Sequence, residues 1–296
     1  MFPGQGSQEI GMGNELLEKY SNLLKNTFEE SLGWSLESII NSDDPQLIKK
    51  TNIAQPYIFS ISYCYGIEAI NNLGNPAALI GHSLGEYTAL CLSGYLNFKD
   101  ALKVIAVRGE EMQKAVENSN TTMAAVLTND LDVTIEEINK LNNQGIQIWI
   151  SNYNDPSQIV ISSYTDDMNY LKSNPKAIGA KRIIPLEVAG AFHTEIVSPA
   201  KKPLHDVLNE IDISEGKIPV YMNVDAKKVD LSSIKENLVN QIDNSVLFSQ
   251  QIQNLNEDID PDLWCHIGPG NVTAGMVRKS ISYKDLKVIN SLESSS

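Results

Sequence analysis

The chain has 296 residues, 42% of them hydrophobic and 20% charged, with a formal net charge of −14. That length allows one large domain or two smaller ones, and the composition is that of an ordinary soluble globular protein. The acidic balance argues against nucleic acid as a partner, and no apolar run approaches the ~20 residues needed to span a bilayer.

The start, Met1-Phe-Pro-Gly-Gln, carries no charged leader. Cys64, Cys91 and Cys265 show no C-x-x-C spacing, so they read as core packing in a reducing cytoplasm. The four histidines show no ligand spacing, and no structural metal is expected. Phe2-Pro-Gly-Gln-Gly-Ser-Gln8 is either a plain turn or a loop whose glycines let its backbone approach another element. An α/β fold wants a strand before such a loop, and only Met1 and Phe2 supply it. The chain therefore reads as trimmed, or as part of a longer polypeptide.

Glu15 to Leu32 is expected as one amphipathic helix, with Leu16, Tyr20, Leu23, Leu24, Thr27 and Phe28 on one face. Asp43-Asp-Pro-Gln begins another helix. Asn52 to Asn72 forms a long apolar helix with Pro56 in its first turn, ended by Gly74-Asn-Pro. Ala77 to Ile80 then reads as a buried strand, and Tyr87 to Leu92 as a buried helix. Between them stands Gly81-His-Ser-Leu-Gly85, a G-x-S-x-G pattern. Alone it marks a turn or a nucleophile; a strand before it and a helix after it favour a nucleophile elbow that lifts Ser83 clear of the sheet. Phe98 to Asn118 carries a helical stripe, Leu102, Ile105, Ala106, Gly109, Met112 and Val116. Arg108 falls at the margin of that stripe, and on periodicity alone it reads as an arginine with its head in solvent.

From residue 121 the pattern changes. Strand Met123–Leu127, helix Val133–Leu141, strands Ile146–Asn152 and Gln158–Ser162, helix Thr165–Ser173 and strand Lys181–Val188 follow in order. This β-α-β-β-α-β succession is that of a ferredoxin-like unit. The expected fold is α/β, with a large subdomain over 1–120 and 190–296 built on a mainly parallel sheet, and a small inserted subdomain over 121–189. In Gly190-Ala-Phe-His193, the histidine is either a packed core group or a catalyst. It stands out because the chain re-enters the large subdomain there, where a cleft should form. His205 and His266 are assigned to packing or surface. Strand Ile218–Asn223, helices Leu231–Asn240 and Val246–Leu255, strand Leu263–Ile267 and helix Val272–Ser280 complete the chain, with a disordered end at Ser294-Ser-Ser296.

Five stretches in order, Phe2-Pro-Gly-Gln-Gly-Ser-Gln8, Gly81-His-Ser-Leu-Gly-Glu86, Arg108-Gly-x-x-Met112, Gly190-Ala-Phe-His193 and Ile267-Gly-Pro-Gly270, resemble those of malonyl-CoA:acyl carrier protein transacylases. The intervening Asn152-x-Asn-x-Pro-x-Gln-x-Val-Ile-Ser162 does too. The resemblance covers essentially the whole chain. It is nearest to the free-standing acyltransferases that serve polyketide synthases lacking their own acyltransferase domains, and it implies an α/β-hydrolase-like large subdomain.

The resemblance implies a ping-pong transfer of malonyl from malonyl-CoA to the phosphopantetheine thiol of an acyl carrier protein, for fatty acid or polyketide synthesis, through an ester on Ser83. His193 would act as base, and the backbone N–H groups of Gln5 and Leu84 as oxyanion hole. Arg108, twenty-five residues after the serine, would hold the malonyl carboxylate, and Phe192 would leave little room for an α-methyl branch. Met112 and Leu247 would help line the pocket. No cofactor is implied, and the protein would work in the cytoplasm as a monomer or as a domain of a larger synthase. One departure stands out. In Asn244-Ser-Val-Leu-Phe248, Leu247 occupies the place where the family often has a glutamine that accepts a bond from the histidine, so a backbone carbonyl is expected to take over. The alternatives are an acyl hydrolase that clears carriers and a non-catalytic carrier-docking module. Because carriers are commonly acidic, a local basic patch of Lys201, Lys202, Arg278 and Lys279 is expected near the cleft mouth.

Overall fold

The computed structural model describes residues 1–282 and 284–295. The chain opens with a 3-10 turn, Asn14–Leu16, a π-helical stretch, Asn22–Thr27, and helices α1 (Phe28–Leu32) and α2 (Leu36–Ile40). The single helix expected over Glu15 to Leu32 is thus broken into differently wound pieces. Leu16, Leu24 and Phe28 still reach one core, so burial rather than a uniform hydrogen-bond ladder sets the winding. After Asp43-Asp-Pro only a 3-10 turn forms, Leu47–Lys49, before α3 (Thr51–Leu73). Pro56 lies in the second turn of α3, not its first.

β1 (Leu79–Ile80) leads through the elbow into α4 (Gly85–Ser93), and α5 (Phe98–Val116) follows, capped by Asn97, whose side chain accepts from the Asp100 N–H at 2.9 Å. Next come β2 (Thr121–Thr128), α6 (Leu131–Asn143), β3 (Ile148–Asp155), β4 (Gln158–Tyr164), α7 (Thr165–Ser173) and β5 (Ala180–Pro185). These strands form one sheet in the order β3-β4-β2-β5, with every neighbouring pair antiparallel. Strand alternation gives the sheet two distinct faces. Ala124, Val126, Ile159 and Ile161 join Ile138, Met168 and Leu171 of the helices in an apolar core of their own. Met123, Ala125, Gln158 and Val160 line a cleft instead.

The chain returns through α8 (Lys201–Asn209), β6 (Val220–Tyr221), α9 (Ile234–Asn240), α10 (Phe248–Ile259), β7 (Leu263–Ile267), α11 (Val272–Ser280) and β8 (Asp285–Ile289). β1 pairs with β6 and β7 with β8, both parallel. Met1 and Phe2 join the two pairs. Phe2 N–H donates to Ile80 O at 3.1 Å and Phe2 O accepts from His82 N–H at 3.0 Å, while Met1 N donates to Cys265 O at 2.7 Å and Met1 O accepts from Ile267 N–H at 2.8 Å. Hydrogen bonding therefore runs across five parallel segments with residues 1–2 in the middle, which delivers the Pro3–Ser7 loop to the C-terminal ends of β1 and β7.

Several boundaries differ from expectation. The strand expected over Ile218–Asn223 pairs only at Val220–Tyr221, the last strand of the antiparallel sheet stops at Pro185, and the helix expected from Val246 starts at Phe248 and runs to Ile259. Helices α2 and α8 and strand β8 are additions to the expected elements. The serine-rich end is not disordered where it is described. Glu293–Ser295 is a 3-10 turn, Ser295 is buried and its carbonyl accepts from Asn72 Nδ2 at 2.9 Å; Ser296 lies outside the described residues. Among the described residues no helix is long and apolar enough to cross a membrane.

Candidate active site

The elbow depends on two glycines. A Cβ on Gly81 would lie 1.9 Å from the Gly85 carbonyl carbon, and one on Gly85 would lie 2.3 Å from Phe2 O. Only bare backbone allows strand, turn and opening loop to approach this closely. At the apex Ser83 has φ 51, a left-handed conformation that L-residues avoid. Asn223 holds it there: its Oδ1 accepts from the Ser83 N–H at 2.7 Å, and its Nδ2 donates to Gly81 O at 2.7 Å.

Ser83 Oγ lies 2.8 Å from His193 Nε2. His193 also has a positive φ, 59, and is buried. Its Nδ1 lies 2.8 Å from the backbone carbonyl of Gln241, the residue that caps the C-terminus of α9. A carbonyl only accepts, so Nδ1 carries the proton and Nε2 presents a lone pair to the serine. Burial, reinforced by the Arg108 cation, pushes the His193 pKa down to about 3. The ring is thus a neutral, unprotonated base at neutral pH.

Arg108 is not a surface arginine. It is 1% exposed, because α3 and the Gln241 segment cover the margin of α5 where it sits. Nη1 donates to Gln55 Oε1 at 2.6 Å, and Nη2 donates to Gln241 Oε1 at 2.8 Å and to Ser83 Oγ at 3.0 Å. Nε has no hydrogen-bond acceptor, and the guanidinium lies 5.6 Å from the Tyr87 ring centroid. No carboxylate forms an ion pair with it among the described residues; its hydrogen-bond partners are two neutral amides and the Ser83 hydroxyl. Burial lowers its pKa somewhat, yet an arginine remains charged.

These groups share a cavity of about 220 Å³, walled by Gln5, Ser83, Arg108, Met112, Phe192 and His193 together with the sheet residues Met123, Asn152 and Val160. The N–H groups of Gln5 and Leu84 donate to no protein acceptor among the described residues, and Leu84 starts the turn into α4. A larger cavity of about 480 Å³ lies at the opposite ends of β1 and β7 and contains none of these chemical groups.

Leu247 does not line the cleft. It caps α10, and its N–H donates to Asn223 O at 2.9 Å. The acceptor for His193 lies six residues earlier, at the Gln241 carbonyl. Gln55, Asn223 and Gln241 escape a reading of the sequence. They contribute as amides or backbone around groups that stand out in it, and no motif of residue types marks them. The expected basic patch is largely neutralised: Lys201 pairs with Asp243 at 2.9 Å, Lys202 with Asp206 at 2.6 Å and Lys279 with Asp155 at 3.4 Å, leaving exposed Arg278. Among the described residues no group of three or more His, Cys, Asp or Glu side chains could hold a metal ion.

Comparison with known proteins places this geometry in context. The family described as "Acyl transferase domain" matches residues 1–292. The malonyl CoA-acyl carrier protein transacylase of Bacillus subtilis (strain 168) is 38% identical over 283 residues, covering 94% of this chain and 89% of that protein. The transacylase of the same name from Staphylococcus aureus (strain MW2) is 32% identical over 296 residues, covering 99% and 95%. Among solved structures, a type II PKS acyl-carrier protein in complex with its malonyl-transacylase superposes with TM-score 0.91 at 29% identity, covering 99% of this chain and 96% of the other. The malonyl CoA-acyl carrier protein transacylase from Clostridium perfringens gives 0.89 at 33% identity, covering 99% and 93%.

Proposed function

The chain belongs to the acyl transferase domain family, and from that premise we propose that it transfers a malonyl group from malonyl-CoA to the phosphopantetheine thiol of an acyl carrier protein, with Ser83 as the acyl carrier. The observation that carries the proposal is one cavity in which the Ser83 hydroxyl, the His193 lone pair and the Arg108 cation meet.

Ser83 Oγ gives its proton to His193 Nε2 as it attacks the thioester carbonyl. The N–H groups of Gln5 and Leu84 hold the tetrahedral oxyanion. The intermediate collapses to the malonyl ester, and the proton on Nε2 leaves with the CoA thiol. In the second half, the carrier's thiol gives its proton to Nε2 and its sulfur attacks the ester; as the ester C–O bond breaks, Nε2 returns the proton to Ser83 Oγ. Arg108 has donors left for the malonyl carboxylate: Nε and one Nη1 hydrogen have no partner, and the Nη2 bond to Ser83 is weakened once that oxygen is acylated. Phe192, Met112 and Met123 restrict the acyl end.

We read residues 121–189 as a ferredoxin-like insert in an α/β-hydrolase-like subdomain of 1–120 and 190–296. The β3-β4-β2-β5 order and the separate apolar core of the insert support this. No cofactor enters the chemistry, and the free cysteines accord with a cytoplasmic setting. A carrier-clearing hydrolase would share Ser83 and His193, but the buried Arg108, with no carboxylate in contact with it, favours a carboxylated acyl group. The test is intact-protein mass spectrometry with a panel of acyl-CoA thioesters. The protein should gain one malonyl unit, Ser83→Ala should gain none, and adding carrier should discharge the label to the carrier's thiol. Label persisting in Ser83→Ala, or discharge to water at the same rate without carrier, would refute the proposal.

A further inference from the structure

Glu86 lies three residues beyond the nucleophile on α4 and is fully buried, yet the chemistry above does not use it. Its Oε1 accepts from the Asn223 N–H at 2.7 Å, and its Oε2 accepts from Gln241 Nε2. The same Gln241 Nε2 donates to Ser83 O at 3.0 Å. The other end of that amide, Oε1, accepts from Arg108 Nη2 at 2.8 Å.

An amide has two unlike ends. A guanidinium offers donors only, and an ionised carboxylate offers acceptors only. Between Arg108 and Glu86, Gln241 has one favourable orientation, with its oxygen toward the cation and its nitrogen toward the carboxylate. Its dipole then lies along the field between the two charges. We propose that Glu86 is a positioning residue for malonyl recognition: it fixes the Gln241 amide, which in turn holds Arg108 with no protein carboxylate touching the guanidinium. A direct Glu–Arg contact would occupy the guanidinium with a permanent carboxylate and compete with the substrate's. One interposed amide separates the charges while holding the cation in place, and a buried cation with no counter-charge at all would be costly. The inference rests on the reading that Arg108 binds the malonyl carboxylate.

Glu86→Gln tests it, because the shape is kept and the acceptor facing Gln241 is lost. The introduced amide satisfies Asn223 N–H with its oxygen and turns a donor toward Gln241 Nε2. Gln241 must then either flip, which turns its nitrogen toward Arg108, or leave donors unpaired. Loading of Ser83 by malonyl-CoA and by acetyl-CoA would be followed by intact mass at about pH 9, above the value of about 8 to which burial raises Glu86, so that the wild-type side chain is ionised. Malonyl kcat/KM should fall at least about tenfold while acetyl falls less than about threefold. Gln241→Met, which keeps the backbone carbonyl that holds His193, should lose malonyl preference in the same way and covers the case in which Glu86→Gln fails to fold. Equal losses for both acyl groups, or no loss in either variant, would overturn the proposal. A wild-type protein that never takes up malonyl would instead overturn the reading beneath it.

Discussion

Replacing Arg108 with methionine keeps an unbranched apolar stem and removes the guanidinium. A malonyl carboxylate in the cavity would lose two charge-assisted hydrogen bonds, worth about 1.5–3 kcal/mol each and hence roughly 3–6 kcal/mol together. At about 1.4 kcal/mol per decade, that is a loss on the order of 10²- to 10⁴-fold in malonyl kcat/KM. Acetyl has no carboxylate. It loses only the 3.0 Å bond from Nη2 to Ser83 Oγ, worth about 1 kcal/mol or fivefold. The oxygens of Gln55 and Gln241, which now accept from Arg108, would be left without that donor, a cost that falls on both acyl groups alike. The malonyl-to-acetyl ratio of Ser83 loading rates, measured by rapid quench and intact mass, should therefore collapse by roughly 10²-fold or more. A ratio within about threefold of the wild type would mean that Arg108 is structural and that the carboxylate binds elsewhere.

Three further predictions concern His193 and Leu247. Because burial holds His193 at about 3, the loading rate should not fall with a midpoint near 6.5 as pH is lowered; an acid limb there would show that the base is solvated. The same depression sets a stability window. The unfolded histidine binds a proton below about 6.5 and the folded one does not, so its contribution to stability is lost as pH falls from about 6.5 toward about 3, and His266, held at about 4, adds to the loss. Glu86 has the opposite sign: burial raises it to about 8, so the folded state holds its proton more tightly and stability is lost as pH rises from about 4.5 to about 8. A His193→Gln variant should lose less Tm than the wild type between pH ~6.5 and ~4, and parallel curves would refute the assignment. Leu247→Gln should change turnover less than about twofold, since the Gln241 carbonyl already orients the ring. A large gain would mean that this carbonyl is an inadequate partner.

What the sequence made legible was what short-range pattern encodes. Helix α7 and strand β7 were expected at their observed bounds, since each lies between clear local boundaries. The long stripe of α5 gave away its helix but not the fate of Arg108. That side chain is buried by Gln55, 53 positions earlier, and Gln241, 133 positions later, and a periodicity argument sees neither. The opening two residues look too short to be a strand. They act as one because β1 and β7 supply partners on both sides. Leu247 stands out for lacking a side-chain acceptor, whereas the acceptor is main chain at Gln241. A backbone carbonyl belongs to every residue type, so no spelling of the sequence points to it.

The two residues to which we assign the proton transfer both have left-handed backbone, φ 51 at Ser83 and φ 59 at His193. Such conformations cost about 1–3 kcal/mol each and persist only where the surroundings over-determine them. Here those surroundings are polar and shared. Asn223 grips both sides of the Ser83 turn, Gln241 bonds to Ser83 O through its amide and to His193 Nδ1 through its carbonyl, and Glu86 receives donors from both Asn223 and Gln241. Because these groups share partners, substitutions among them should be strongly non-additive. The site is better understood as one buried hydrogen-bonded unit that opens onto the cleft at Ser83 Oγ than as a dyad with a separate anion-binding arginine.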